Sequence, residues 1–321
     1  AVGPDVWDAW KATLLRELYY RATEVLSGGL PAERKAARVE EAANKLRERL
    51  EARGDWSQGD IDAHMARGTS AYWLSFNTDI HAHHANFIAI AEREKRSLHI
   101  ETRISPDQGI TEIIVYTPDH AGLFSQIAGA MALSGASIVD AKIATLANGM
   151  ALDTFWIQGS GRGVFDDARA LKNLWKRLED AIIGKLHLAR ELEKQLKNAL
   201  PSRTRVFKVA PHVMIDNQAS NKHTVIELNG RDRTGFLFDI TSAITALGLQ
   251  IASAHITTYG ERVVDVFYVK DVFGLKIDGE TKLKRIEACL LKAMTPAKSK
   301  KANAEAKTDK NPTETTPGTS P

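Results

Sequence analysis

The 321-residue chain has one cysteine, Cys289, which excludes an intramolecular disulfide and fits a reducing compartment. Next to Ile286 and Leu290 at helical spacing, it reads as core packing. No apolar run approaches the ~18 residues of a membrane helix, and no signal peptide is visible, so a cytoplasmic location is expected. Excess charge is also missing: 43 Lys and Arg meet 40 Asp and Glu, which gives no argument for nucleic acid or a membrane as partner. Part of the small basic surplus lies in the tail, at Lys298, Lys300 and Lys301.

Catalytic patterns are equally scarce. No His-Asp dipeptide occurs, and no Ser/His/Asp or Cys/His arrangement rises above chance. Asp60-Ile61-Asp62 has no Gly-Ser upstream and reads as two acids opening a short helix. His81 and His84 stand three apart on a helix, but His84 falls on the apolar face and no carboxylate or cysteine joins them at ligand spacing, so both read as structural or solvated. Gly159-Ser160-Gly161-Arg162-Gly163 departs from G-x-G-x-x-G and reads as a strand-to-helix connection. By its residues alone the chain is a binding module with no visible catalytic or metal site.

What the chain does contain is a repeat. Ile113-Ile114-Val115-Tyr116-Thr117-Pro118-Asp119-His120-Ala121-Gly122-Leu123-Phe124 is matched, at an offset of 113, by Val225-Ile226-Glu227-Leu228-Asn229-Gly230-Arg231-Asp232-Arg233-Thr234-Gly235-Phe236-Leu237. Each reads as an apolar strand, a turn and a helix, the helices marked by Leu123, Ile127, Met131 and by Leu237, Ile240, Ile244, Leu247. Asp119 and Asp232 are expected to cap the helices, and Gly122 and Gly235 to leave room for a ligand at the backbone. Free N–H groups at a helix start attract anions, including an amino acid's carboxylate.

Downstream, each copy continues with an alternating strand (138–143; 251–256), a short turn (Asn148-Gly149; Tyr259-Gly260-Glu261), a partner strand (Asp153–Ile157; Asp265–Val269) and an amphipathic helix. Strand–helix–hairpin–helix, written twice, predicts an α+β chain of two ferredoxin-like units in tandem. The apolar stretches 98–104 and 206–215 precede the copies, and nothing after Met294 offers a closing strand. Each leading strand is therefore expected beside the first repeat strand, in the place of the missing last one. The last helix of the first copy is expected to run on through Leu188, Leu192 and Leu196.

Residues 1–95 read as a helical segment, with helices near 5–26, 32–52 and 78–95. It looks like the end of an upstream domain whose beginning is missing, only marginally stable alone. Trp7, Trp10 and Trp73 are expected against one another or against exposed apolar surface. The first unit covers 96–200 and the second 201–295, and 296–321 reads as a disordered tail.

The paired Asp-x-x-Gly stretches resemble ACT domains, small modules that bind amino acids. More widely, Trp7-x-x-Trp10-x-x-x-Leu14-Leu15-x-x-Leu18-Tyr19, Ala71-Tyr72-Trp73-Leu74 and Asn229–Leu237 with Ala254-His255-Ile256 and Val264–Val269 resemble the C-terminal part of the bifunctional uridylyltransferase/uridylyl-removing enzymes. The resemblance implies a parent that transfers UMP to the PII nitrogen-signalling protein with Mg²⁺ and removes it hydrolytically, with glutamine sensed by the ACT pair. The Gly-Ser…Asp-x-Asp and His…His-Asp…Asp sets of that family are absent here, so no catalytic residue and no metal are expected in this chain. The implied glutamine site comprises Asp119, His120, Ala121, Gly122 and Leu123 in one copy and Asp232, Arg233, Thr234, Gly235 and Phe236 in the other, the second favoured by its closer motif. Implied partners are glutamine, PII through the parent enzyme, and ACT–ACT pairing within or between chains. A free-standing ACT-pair regulator, or a dimerisation scaffold with a vestigial ligand site, fits the same residues.

Overall fold

Two antiparallel sheets carry the repeats. The computed structural model describes residues 32–159, 163–198, 210–220, 222–259 and 262–295; the expected helix 5–26, with Trp7 and Trp10, and the tail from 296 lie outside these. In the first unit, β1 (His99–Ser105) turns through Pro106–Gly109 into β2 (Ile110–Pro118), followed by α5 (Leu123–Leu133), β3 (Ser137–Lys142), β4 (Met150–Gln158) and α6 (Ala168–Ile182). Helix α7 (Leu188–Asn198) leads to the second unit: β5 (His212–Asp216), β6 (Thr224–Arg231), α8 (Phe236–Ala246), β7 (Leu249–His255), the short β8 (Thr258–Tyr259), β9 (Arg262–Asp271) and α9 (Glu280–Met294).

The strand orders are β1-β2-β4-β3 and β5-β6-β9-β7, with β8 on β9. Each leading strand therefore lies beside the first repeat strand, as predicted: His99 faces Tyr116, and Val213 faces Leu228. A connection of four residues between β1 and β2 permits only an antiparallel pair, and Gly109 completes that turn at φ +67°. The helix after β4 does not run on as one piece. It stops at Gly184, φ +74°, whose N–H bonds the Ala181 carbonyl, and α7 starts afresh at Leu188.

Helices α5 and α8 pack side by side, joining both units in one core that includes Phe124, Ile127, Met131, Phe236, Ile240 and Phe267. Close approach depends on Gly129, where an added Cβ would stand 2.8 Å from Phe238 Cδ2 and 3.0 Å from Leu188 Cδ1. Gly129→Val should overpack this crossing and lower stability by roughly 1–3 kcal/mol. Urea denaturation of the variant checks this; an unchanged midpoint would show that the two helices separate without cost.

The two sheets differ in what covers their second face. In β2 and β4 nearly every residue is buried, whereas β6 and β9 alternate buried with half-buried positions. The cover on the first sheet is a helical layer: α1 (Ala32–Arg53), α2 (Gln58–Arg67), α3 (Ser70–Ser75) and α4 (Thr78–Arg93). Leu46, Leu50, Ile61, Tyr72, Trp73, Phe87 and Ile88 close a second core against Ile114, Tyr116, Leu152 and Trp156 of the sheet. Trp73 is buried there, its ring 5.0 Å from Tyr72 and 5.1 Å from His81. The layer thus shares its core with the first sheet.

His81 and His84 are fully buried in this layer. His81 Nε2 lies 3.3 Å from the Tyr72 carbonyl, and the His84 ring meets Phe76 edge-on at 4.8 Å. Burial holds His64 and His81 down at about 4 and His84 well below the ordinary histidine range, so all three are neutral at pH 7. Asp62 pairs with Arg47 at 2.6 Å, and Ser57, which caps α2, donates its hydroxyl to Asp60.

Candidate functional site: the two Asp-x-x-Gly loops

The first loop is pinned by its own hairpin. Asp119 N–H donates to the Gly149 carbonyl at 3.0 Å, and Thr145 Oγ1 donates to Asp119 Oδ2 at 2.5 Å. The chain then turns at Gly122, φ +89°, which is the helix cap; no side chain bonds the helix start there. The second copy does the same at Gly235, φ +76°. This corrects the capping role expected of Asp119 and Asp232. The loop spends three residues reaching the left-handed cap, so the aspartate stands ahead of the helix and its carboxylate does not cap the helix start.

The loops differ in access. Asp119, His120 and Ala121 are exposed and Gly122 is half-buried; a Cβ on Gly122 would meet Thr245 Cγ2, at the C-terminal end of α8, at 3.6 Å. His120 turns its Nδ1 toward the Ala121 carbonyl at 3.2 Å. In the second copy Thr234 is exposed but Gly235 is buried, with both Leu192 methyls of α7 at 3.8 Å from where its Cβ would be. Arg233 is engaged elsewhere: it pairs with Asp239 at 2.6 Å, donates to the Ala293 carbonyl at 2.9 Å and lies over the Phe236 ring. Leu123 and Phe236 point into the shared core.

Beneath each loop lies a carboxyl that the sequence reading left unassigned. Asp153 on β4 and Asp265 on β9 are each 1% exposed. Thr257 N–H donates to Asp265 Oδ1 at 3.2 Å. Asp153 Oδ1 and Asp265 Oδ2 have no hydrogen-bond partner among the described residues. Burial, reinforced by Asp119, pushes the Asp153 carboxyl well above its ordinary range. Burial pushes Asp265 up to about 8, with the Thr257 N–H opposing and Asp232 adding to the rise. The signal was present: Asp-x-Phe opens the partner strand in both copies.

No group of three or more His, Cys, Asp or Glu among the described residues is arranged to hold a metal. Among the same residues no helix is long and apolar enough to cross a membrane.

The ACR family N-terminal ACT domain matches residues 219–296, the second unit. Bifunctional uridylyltransferase/uridylyl-removing enzymes align along nearly the whole chain. The one from Azospirillum brasilense is 49% identical over 92% of this chain and 31% of its own length. That of Gluconobacter oxydans is 48% identical over 92% and 31%, and that of Rhodospirillum rubrum 44% over 95% and 32%. The chain thus spans about a third of the length of these relatives. A solved aspartate kinase from Synechocystis aligns at a TM-score of 0.33 with 15% identity, over 57% of this chain and 26% of that one, too slight a likeness to argue from. The chain is similar along nearly all its length to the C-terminal, ACT-containing part of the bifunctional uridylyltransferase/uridylyl-removing enzyme.

Proposed function

We propose that this chain is an amino-acid-sensing region, that its ligand is glutamine, and that it governs uridylylation and deuridylylation of PII by catalytic domains of a longer parent. The observation that carries the reading is the duplicated loop: a strand end, an Asp-x-x-Gly turn and a helix start capped by a glycine without a side chain. Such a start favours the ligand's α-carboxylate through the helix dipole and first-turn donors. The first loop is the more open of the two, with Asp119, His120 and Ala121 at the surface. The Mg²⁺ of the family belongs, on this reading, to catalysis outside this chain.

Titration calorimetry on the purified chain tests this. Glutamine should bind and glutamate much more weakly, because the side-chain amide brings donors that a carboxylate lacks. Gly235→Val, an obvious probe from sequence, is a poor one: φ +76° strains any branched residue there whatever the ligand does. The scaffold reading is favoured by one observation, the packing of α5 on α8 that fuses the units. No heat and no thermal shift with millimolar glutamine would leave that reading in place of sensing.

A further inference from the structure

We propose that the carboxylate pair Asp119 and Asp153 receives the α-ammonium group of the ligand at the first loop, and so selects amino acids over their deamino counterparts. The inference rests on the amino-acid-binding reading above and adds to it a buried residue that the motif does not contain.

Three observations carry it. First, Asp153 is buried on the helix-facing side of β4, the side of Phe155 in the shared core, with Oδ1 lacking a partner among the described residues. A buried acceptor without a donor is costly and calls for one. Second, a short stretch of chain ties it to the loop. Leu152 N–H, beside Asp153, donates to the Ala144 carbonyl at 2.8 Å, and the next residue on that strap, Thr145, donates its hydroxyl to Asp119. The two carboxyls are therefore held on one strap, Asp119 on the solvent side and Asp153 beneath. Third, the loop lies at the surface: Asp119, His120 and Ala121 are exposed, and Gly122 adds no side chain to it.

The chemistry that fits is a compact cation with several donors. An ammonium offers three N–H bonds and no acceptor, which matches acceptor-only carboxylates. Two carboxyls close together disfavour each other's ionised form, and a cation supplies the missing counter-charge. Asp119 is the neighbour that adds, after burial, to the upward shift of Asp153. With the α-carboxylate at the helix start and the α-ammonium at the pair, both ends of an amino acid's backbone are recognised. The second loop repeats the pair as Asp232 and Asp265 but is less open: Gly235 is buried, and of Asp232, Arg233, Thr234 and Gly235 only Thr234 is exposed. The ligand's ammonium is therefore assigned to the first copy.

The test compares glutamine with glutaramic acid, the same molecule without its α-amino group, by calorimetry on the full chain. Wild type should prefer glutamine by about tenfold or more, as for a charge-assisted bond. In Asp153→Asn, and separately in Asp119→Asn, the preference should fall toward one. The ratio is taken within each variant, so a partial loss of folded protein leaves it unaltered, and Asp119 is exposed enough for its variant to fold. An unchanged ratio in both variants overturns the inference and leaves the amino-acid reading standing. A ratio that collapses in Asp265→Asn but not in Asp153→Asn also overturns it, by assigning the site to the second copy. A wild-type chain that binds neither compound refutes the amino-acid reading, and the inference with it.

Discussion

Between pH 6 and pH 8 the Asp265→Asn variant should gain about 2 kcal/mol in stability relative to the wild-type chain. Asp265 is 1% exposed, and its carboxyl is raised from 3.8 to about 8, first by burial and then by Asp232, against the bond from Thr257 N–H. The folded chain therefore holds a proton that the unfolded chain releases. Its stabilising effect is complete below the unfolded value and is lost steadily as pH rises toward the folded one. Asparagine keeps the carbonyl acceptor for Thr257 N–H and never ionises, so it escapes that loss. The gap should widen from pH 6 to 8 and level off above it. Urea denaturation at four pH values measures this, and a gap that stays constant would mean that Asp265 is already ionised in the folded chain.

Acid should act on the helical layer with the opposite sign. His64 and His81, 2% and 0% exposed, are lowered from 6.5 to about 4, in both cases chiefly by burial. Arg67 and His81 add to the fall at His64; at His81 Lys142 adds to it while the bond to Tyr72 opposes. Unfolding exposes rings that take up protons, so the stability from each is complete above the unfolded value. It drains away as pH falls toward about 4, by roughly 3 kcal/mol per histidine. Neither nitrogen of His64 has a partner among the described residues, so a phenylalanine of similar shape forfeits no hydrogen bond there. His64→Phe should lose about 1 kcal/mol less than wild type between pH 7 and pH 5.5. Equal losses in the two proteins would show that His64 does not drive the acid sensitivity. The aspartate and histidine slopes oppose each other below pH 6.5, so each is visible only as a difference between a variant and the wild type.

The sequence determined the repeat and most of the topology, because both are written in local pattern. Asp-x-x-Gly between an apolar strand and an apolar helix, the Asn148-Gly149 turn, and short links that allow only antiparallel pairing all act within a few residues. Even the double cover of the first sheet left a trace, since Ile113–Tyr116 is unbroken apolar while Glu227 and Asn229 interrupt the second copy. That trace does not say what the cover is. The meeting of Tyr72, Trp73 and Ile88 with Ile114 and Trp156 is set by packing across long stretches of chain.

The functional details were decided by tertiary structure alone, for the same reason. Asp119 and Asp232 look like caps until the backbone is seen to pass through the left-handed region at Gly122 and Gly235. Asp153 and Asp265 look like ordinary strand residues until helices close over them and leave an oxygen on each without a donor. The two loops are alike in motif but differ in access: Asp119, His120 and Ala121 are exposed, whereas of Asp232, Arg233, Thr234 and Gly235 only Thr234 is. Local propensity places a carboxylate on a strand or a glycine at a turn. Whether that group meets water, a counter-charge or a leucine depends on which distant element packs against it, and burial sets both its charge state and its chemistry.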